Sequence, residues 1–307
     1  MPMISTNWVD LLDARIADYA DEEYKQLPDL IPKFFTVVGP GDTPQKQDYR
    51  FSASGALTDL SVFDGTVRYQ DAYEGYDGTI TPEEYVTGIQ IARKLYDDAL
   101  HGDIAAKAQG IGRAVARTRQ KHGAQWWNNV FSVDSTWLSH SEGVAMCSNS
   151  HTTRASDTST ASGFDNLVTT ALSTAAVIAA RIQMKGFRDD RANRIDSEGD
   201  TLIVPVNLEH TAFEITQSMG YPEEVTNAKN FNEGKYKVVS SVYFTDTNDW
   251  GMADMSMLKR DLIWYERLSY ELANVESFDE LIGKWRAYAR WGHGWKGWRG
   301  ILGASVS

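Results

Sequence analysis

The stretch VTGIQIARKLYDDALHGDIAAKAQGIGRAVARTRQKHGAQWWNNVF, residues 86–131, decides how the rest of the chain is read. Val86, Ile89, Ile91, Leu95 and Tyr96 form a loosely alternating, β-branched run, which predicts a strand. Asp97-Asp98 and His101-Gly102 break the run. Asp103 then offers its carboxylate to the orphan amides of a first helical turn. Beyond it, Ile104, Ala108, Ile111, Val115 and Thr118 recur at spacings of four and three, one face of an α-helix. Gly123 is the expected terminator, so the spacing predicts a helix over 103–122, a rod roughly 30 Å long. Gly110 and Gly112 weaken such a helix by up to ~1 kcal/mol each relative to Ala, which anticipates a closely crossing backbone. Taken alone, the stretch fits an ordinary strand and helix of a mixed domain.

Bulk properties narrow the function. A chain of 307 residues buries about three quarters of its unfolded surface and needs no disulfide or metal to fold. The net charge of −12 argues against a general nucleic-acid binder, although it leaves room for local basic patches. The single cysteine, Cys147, rules out an internal disulfide and fits a reducing cytoplasm. The N-terminus shows no signal-peptide pattern and no apolar run is long enough to span a membrane, so no membrane partner is expected. Ten Trp and fourteen Tyr supply large contact areas for a core or for interfaces between proteins.

Outward from the central stretch, residues 1–33 read as an arm. Thr6 or Asn7 caps a helix with Trp8, Leu11, Leu12, Ile16 and Tyr19 on one face, which must bury against the chain's own core or a neighbouring subunit. Residues 49–85 read as a long polar β-ribbon with turns at Asp64-Gly65 and Asp77-Gly78. Such a hairpin is marginal in water unless it packs on something else, so it is either a flexible surface loop or an arm for a partner. Ser162 with Asp165 resembles a capping box and predicts a helix from Phe164 to about Lys185, burying Leu167, Ala171, Ala175, Ile178 and Ile182. Leu202 to Val206 reads as a buried strand, 208–219 as a helix capped by Asn207, and 237–244 and 261–271 as strands. Near the end, Trp285, Ala287, Ala289 and Trp291 alternate with Lys284, Arg286, Tyr288 and Arg290. That is the period of a strand with one face in a core, and it fits burial better than a nucleic-acid stacking platform.

Catalytic patterns are sparse. No phosphate-binding P-loop, zinc-protease helix or serine nucleophile elbow is present. Asp246, Asn248 and Gly251 begin like a calcium loop, but Met257 stands where a bidentate Glu is required. Cys147 lies near His140 and His151, a candidate nucleophile pair that reads better as a buried small hydrophobe. Arg188-Asp-Asp-Arg191 reads as a solvated charge cluster.

The order of parts carries more information than any motif. An arm, a long hairpin, a strand ending in Asp-Asp, one long helix, a mixed α/β region and a Trp- and Arg-rich end resemble the major capsid proteins of tailed phages, which share the Hong Kong 97 phage capsid fold. The stretches 147–167 with 202–205, and 243–250 with the Trp-rich end, resemble the Mu-like head subunits. The resemblance implies an α+β fold with an N-terminal arm (1–33) and an extended loop (49–85). It also implies a peripheral domain (34–48, 86–130 and 269–307) built on a spine helix, and an axial domain (131–268) with a mixed sheet flanked by helices. It implies a non-enzymatic shell protein with no cofactor, assembling as hexamers and pentamers into an icosahedral head around double-stranded DNA. Its partners would be copies of itself, a portal, a separate scaffolding protein and a decoration protein, and its place the virion, assembled in the host cytoplasm. The chain reaches its arm at once, so a scaffolding extension is expected to be absent or already removed. Trp8, Leu12, Ile16, Tyr49, Arg50, Arg68 and Tyr73 are then the expected subunit contacts of arm and loop. Lys107, Arg113, Arg117, Arg119 and Lys121 are the expected DNA-facing residues, or else pair with acidic neighbours. The rivals are an encapsulin-type compartment shell and a monomeric cytosolic enzyme.

Overall fold

The computed structural model describes residues 8–26, 29–41, 47–60, 62–67, 69, 73–98, 101–155, 157–220, 229–277 and 279–306. The chain runs α1 (Trp8–Gln26), α2 (Ile31–Phe34), β1 (Thr36–Val38), β2 (Tyr49–Ser54), β3 (Glu74–Ile80), β4 (Glu83–Ala92), α3 (Arg93–Asp97) and the long α4 (His101–Asn128). It continues through β5 (Leu138–His140), β6 (Leu167–Val168), α5 (Thr174–Met184), β7 (Thr201–Pro205), a 3-10 turn (Val206–Leu208), α6 (Glu209–Gln217), β8 (Lys237–Ser241) and β9 (Trp250–Ala253). It closes with α7 (Met255–Asp261), β10 (Leu262–Ser277), β11 (Ile282–Trp295) and β12 (Ile301–Ala304).

The spine, α4, lies on a four-stranded sheet ordered β1-β10-β11-β4. Two periodicities meet there. Ile104, Ala108, Ile111 and Val115 bury one stripe of α4, and Ile91, Trp285 and Ala287 answer from the sheet. The predicted alternation in β11 is observed: Trp285, Ala287, Ala289 and Trp291 are buried, while Lys284, Arg286, Tyr288 and Arg290 are more open. Two boundaries differ from expectation. The strand stops at Ala92, and Leu95 and Tyr96 belong to the short α3. The spine does not stop at Gly123 but runs on to Asn128. A side chain at Gly123 would meet Ile31, so this glycine admits α2 rather than ending the helix. Of the two mid-helix glycines only Gly112 faces a crossing backbone, that of Ala20 in α1, whereas Gly110 faces open space.

The arm helix α1 therefore packs on the chain's own spine, with Ile16 and Ala20 buried. Its expected caps, Thr6 and Asn7, lie outside the described residues.

A five-stranded sheet, ordered β6-β12-β9-β7-β8, forms the second body of the core. All of β7, β9 and β12 is buried, as continuous apolar runs covered on both faces require. Here α5 corrects the sequence reading. Ser173, not Ser162, caps it, by accepting a hydrogen bond from the Ala176 amide. The helix thus begins at Thr174 and buries Ala176, Val177, Ala180 and Met184, leaving Ile182 exposed. The 208–219 helix is the shorter α6, whose N-cap is Leu208 with no side-chain cap. Asp261, expected in a strand, ends α7. The final strand β12 pairs with β9 and β6, so the chain end returns to this sheet instead of staying with the spine.

A third sheet, β2-β3-β5, carries a hairpin with Tyr49 opposite Ile80 and Ser54 opposite Glu74, but Asp77-Gly78, expected as a turn, lies inside β3, where Gly78 pairs with Phe51 and Asp77 with Ser52. Phe51 and Ile80 anchor its base in the main core.

Candidate assembly surfaces

Five cations on the spine have three different fates. Lys107, Arg117 and Lys121 are exposed. Arg113 is also exposed, but its Nε donates to Glu23 of α1 at 2.7 Å. Arg119 is two residues beyond Arg117, about 200° around the helix. It is 8% exposed, and its Nη1 donates to Glu266 Oε2 at 2.7 Å. Its guanidinium also lies 5.3 Å over the Trp264 ring. Arg119 is therefore not a DNA-facing residue. It fastens α4 to β10, and the neighbouring Gln120 accepts the Leu30 amide at 2.9 Å and donates to Asp29 at 3.1 Å, tying down the chain after the arm. The sequence held the signal: Arg119 continues the row Ile111, Val115 at a spacing of four, which is the buried stripe.

The extended loop divides into an anchored base and an open tip. Tyr49 packs on Tyr265 with ring centroids 5.6 Å apart. Tyr73 lies under Arg191, the guanidinium 4.8 Å from its ring centroid, and covers Gly55 so closely that a side chain there would overlap it. Tyr76 donates to or accepts from Thr152 at 2.6 Å, and Arg154 pairs with Asp77 at 3.3 Å. Burial first, with Asp190 adding to it, pushes the Tyr73 hydroxyl above its ordinary range. Tyr49 and Tyr73, expected at a subunit contact, thus touch their own chain; Arg50 is exposed, and Arg68 lies outside the described residues. The ribbon is less polar than its sequence suggested. Leu57, Leu60, Val62, Phe63, Val67 and Tyr69 all stand exposed between Gly55 and Tyr73. Of the arm residues, Ile16 is buried in the chain's own core; Trp8 and Leu12 lie within α1.

The family pattern described as phage capsid protein matches residues 75–304, three quarters of the chain. The chain belongs to the phage capsid protein family. The capsid of the cyanophage P-SCSP1u has the same fold, with a TM-score of 0.56 at 11% identity, covering 90% of this chain and 87% of that one. The mature capsid of bacteriophage PhiM1 gives 0.54 at 11% identity, covering 90% and 86%. The virus-like particle from Pyrococcus furiosus gives 0.51 at 9% identity, covering 95% and 98%. No curated protein matches the sequence.

The remaining candidate residues of this capsid protein are structural in their surroundings. Cys147 is fully buried, and burial pushes its thiol far above the range in which a thiolate forms. His151 contacts Glu142 at 3.1 Å and stacks on Trp298 at 4.3 Å. Burial works to raise the Glu142 carboxyl, but the His151 ring and the Thr152 amide outweigh it and hold the group below its ordinary value. Asp189 accepts the amides of Arg191 and Asn193, and Asp190 pairs with Arg299 at 2.7 Å, so the Arg-Asp-Asp-Arg turn is a half-buried brace, not a solvated cluster. Asp246 turns inward on its own loop, accepting the amides of Asn248 and Asp249. Among the described residues no group of acidic, His or Cys side chains is placed to hold a metal. Gly292-His-Gly294-Trp-Lys-Gly297 spells a Gly-x-Gly-x-x-Gly pattern, although the sequence was read as containing none. It ends β11 and runs two residues past it without opening a helix, and its first two glycines admit Ile80 and the Thr81 carbonyl instead.

Proposed function

We propose that this capsid subunit builds an icosahedral phage head from hexamers and pentamers around double-stranded DNA. The extended loop, whose described tip residues are apolar yet uncovered, is the observation that carries the reading, because a lone soluble chain rarely leaves such a patch in water. The loop and the outward face of α1 serve neighbouring subunits, making heterologous contacts that close into rings. The spine with its four-stranded sheet is the peripheral domain, and the five-stranded sheet, including Ile301–Ala304, is the axial one. Lys107, Arg117 and Lys121 face the packaged DNA and offset locally the net charge of −12. A portal, a separate scaffolding protein and a decoration protein are the expected partners, with assembly in the host cytoplasm.

Light scattering of the purified chain tests the reading. Particles of megadalton mass support it, and a 34.3 kDa monomer under all conditions overturns it. An encapsulin-type shell is the rival reading, since a shared fold does not distinguish the two. Nuclease-protected DNA inside particles from infected cells separates the two.

A further inference from the structure

The third sheet, which carries the base of the extended loop, meets the rest of the subunit along a seam of aromatic rings and three histidines. Trp137, just ahead of β5, is the wedge of this seam. Its carbonyl accepts the Thr81 amide at 2.8 Å, and its indole N–H donates to the Tyr85 hydroxyl at 3.0 Å. Its ring centroid lies 4.5 Å from that of His293 in β11 and 5.3 Å from that of His122 in the spine. His140, within β5, lies 4.0 Å from Trp295. The spine, β11 and the third sheet thus each bring one histidine to the same joint.

Geometry makes the joint intolerant of an added proton. Trp291 donates its indole N–H to His122 Nδ1 at 3.0 Å, and an indole can only donate, so this nitrogen carries no hydrogen. An imidazolium would turn a second N–H toward that donor. His293 is 2% exposed, with Phe35, Trp264 and Trp137 around its ring and no partner for Nε2 among the described residues. A charge there would find neither water nor acceptor. The charged groups nearby do not change the outcome. On β4, Glu83 stands behind the Tyr85 hydroxyl, which donates to it at 3.1 Å. On the spine, Lys121 opposes a charge on His122, and Arg119 is paired with Glu266 on the far side of Trp264. Around His140 stand Glu142, Asp77, His151 and the Lys296 backbone. Burial outweighs the three carboxylates and holds all three histidines below their ordinary range.

We infer that this joint is an acid-sensitive latch: protonation of His122 and His293 releases Trp137, and with it the third sheet and the loop, while the spine stays folded on its own sheet. Placement supplies the selectivity. Ile104, Ala108, Ile111 and Val115, packed with Ile91, Trp285 and Ala287, hold the spine without a titratable side chain among them. The third sheet is held to the core through Phe51, Ile80 and Leu138, beside the histidines. Freed from that face, so small a sheet does not keep its hydrogen bonds. Linkage sets the direction. A histidine kept neutral by burial takes its proton only when the joint opens, so acid favours the open form and neutral pH the closed one. With His293 at about 3 when closed and at its ordinary 6.5 when open, the open fraction rises roughly 30-fold between neutral pH and pH 5.

Hydrogen exchange read by mass spectrometry on the unassembled full chain tests the latch, at pH 7.5 and pH 5 with rates corrected for intrinsic exchange. The Thr81 and Ser141 amides, bonded to the Trp137 and Asp77 carbonyls, should lose protection roughly 30-fold on acidification. Amides of the spine between Ile104 and Val115 should keep theirs. His293→Phe keeps a flat ring between Trp137 and Trp264 with no nitrogen to protonate. It should remove most of the acid response and leave protection at pH 7.5 unchanged. Should that variant not fold, His122→Gln, whose amide oxygen can still accept from Trp291, carries the test in the same direction. Equal loss of protection in the third sheet and the spine would be global unfolding and would overturn the latch. A third sheet indifferent to acid, or a full acid response in the folded variant, would overturn it as well.

Discussion

The spine wedge and the extended loop use the same kinds of residue to opposite ends. In the wedge, Trp285, Ile91, Ile104 and Ile111 find partners within the chain and are buried. In the loop, Leu60, Val62 and Phe63 find none and face solvent. The first arrangement folds the subunit, and the second is left for assembly. Arg117 and Arg119 repeat the lesson at the scale of two residues, one turned to solvent and the other buried against Glu266 and Trp264. A capsid chain must keep the two sets separate, because an apolar tip satisfied internally would have nothing to offer a neighbour.

Breaking the buried side of that contrast should have the largest effect on stability. Arg119→Ala leaves Glu266 buried without its partner and is expected to cost about 3–5 kcal/mol in urea unfolding of the unassembled chain. Arg119→Met with Glu266→Leu should recover much of the loss, since replacing a whole buried pair by apolar side chains is often nearly neutral. By contrast Arg117→Gln should change stability by no more than about 0.5 kcal/mol. If it faces DNA, its effect should appear as weaker DNA retention at raised salt. Equal destabilisation by both substitutions would remove the distinction.

Acid should act next. Burial lowers His122, His140 and His293 from the ordinary histidine range, His293 to about 3 with His122 adding to the effect. Below pH 6.5 the unfolded chain takes up protons that the folded chain refuses, so stability falls as pH drops through this window and is unaffected above it. At pH 5 His293 alone accounts for about 2 kcal/mol. His293→Gln should flatten the slope of stability against pH between 7 and 5; an unchanged slope would place the sensitivity elsewhere.

A smaller disturbance is Gly112→Ala, which pushes a methyl group into the backbone of Ala20. A loss of about 1–3 kcal/mol is expected, as overpacking costs, with α1 loosened from the spine and cut sooner by protease. Gly110→Ala, facing open space, should stabilise by up to ~1 kcal/mol. The two glycines look alike in the sequence, so opposite signs would sharpen the account of which face the arm covers.

Much of this contrast was legible before the structure. The spine, the hairpin and the alternating Trp-rich strand follow from period alone. What failed did so for identifiable reasons. Gly123 reads as a stop because nothing local shows that Ile31, far away in sequence, packs onto it. The Ala-rich run before Met184 fits more than one helical stripe, and only the Ser173 cap fixes which one is buried. The return of β12 to the five-stranded sheet depends on a pairing with Trp250–Ala253 that no short-range pattern announces. The apolar loop tip was hidden because its residues keep neither helical nor strand spacing, as befits side chains arranged for another molecule.

The absence of lysine from residues 47–93 sets the loop's limit as a fastener. Arginine stays protonated and does not attack an amide, so no isopeptide bond can start from Arg50 or Arg68. Purified particles boiled in detergent should give one band at the monomer mass; a covalent ladder would contradict the loop assignment.

Electron microscopy of particles made with and without residues 52–76 tests the central claim most directly. The intact chain is expected to form closed shells, and the shortened chain to stay folded, with the same near-ultraviolet circular dichroism from its buried Trp residues, yet form none. Closed shells of normal size from the shortened chain would contradict the division between a self-sufficient wedge and a loop kept for the neighbour.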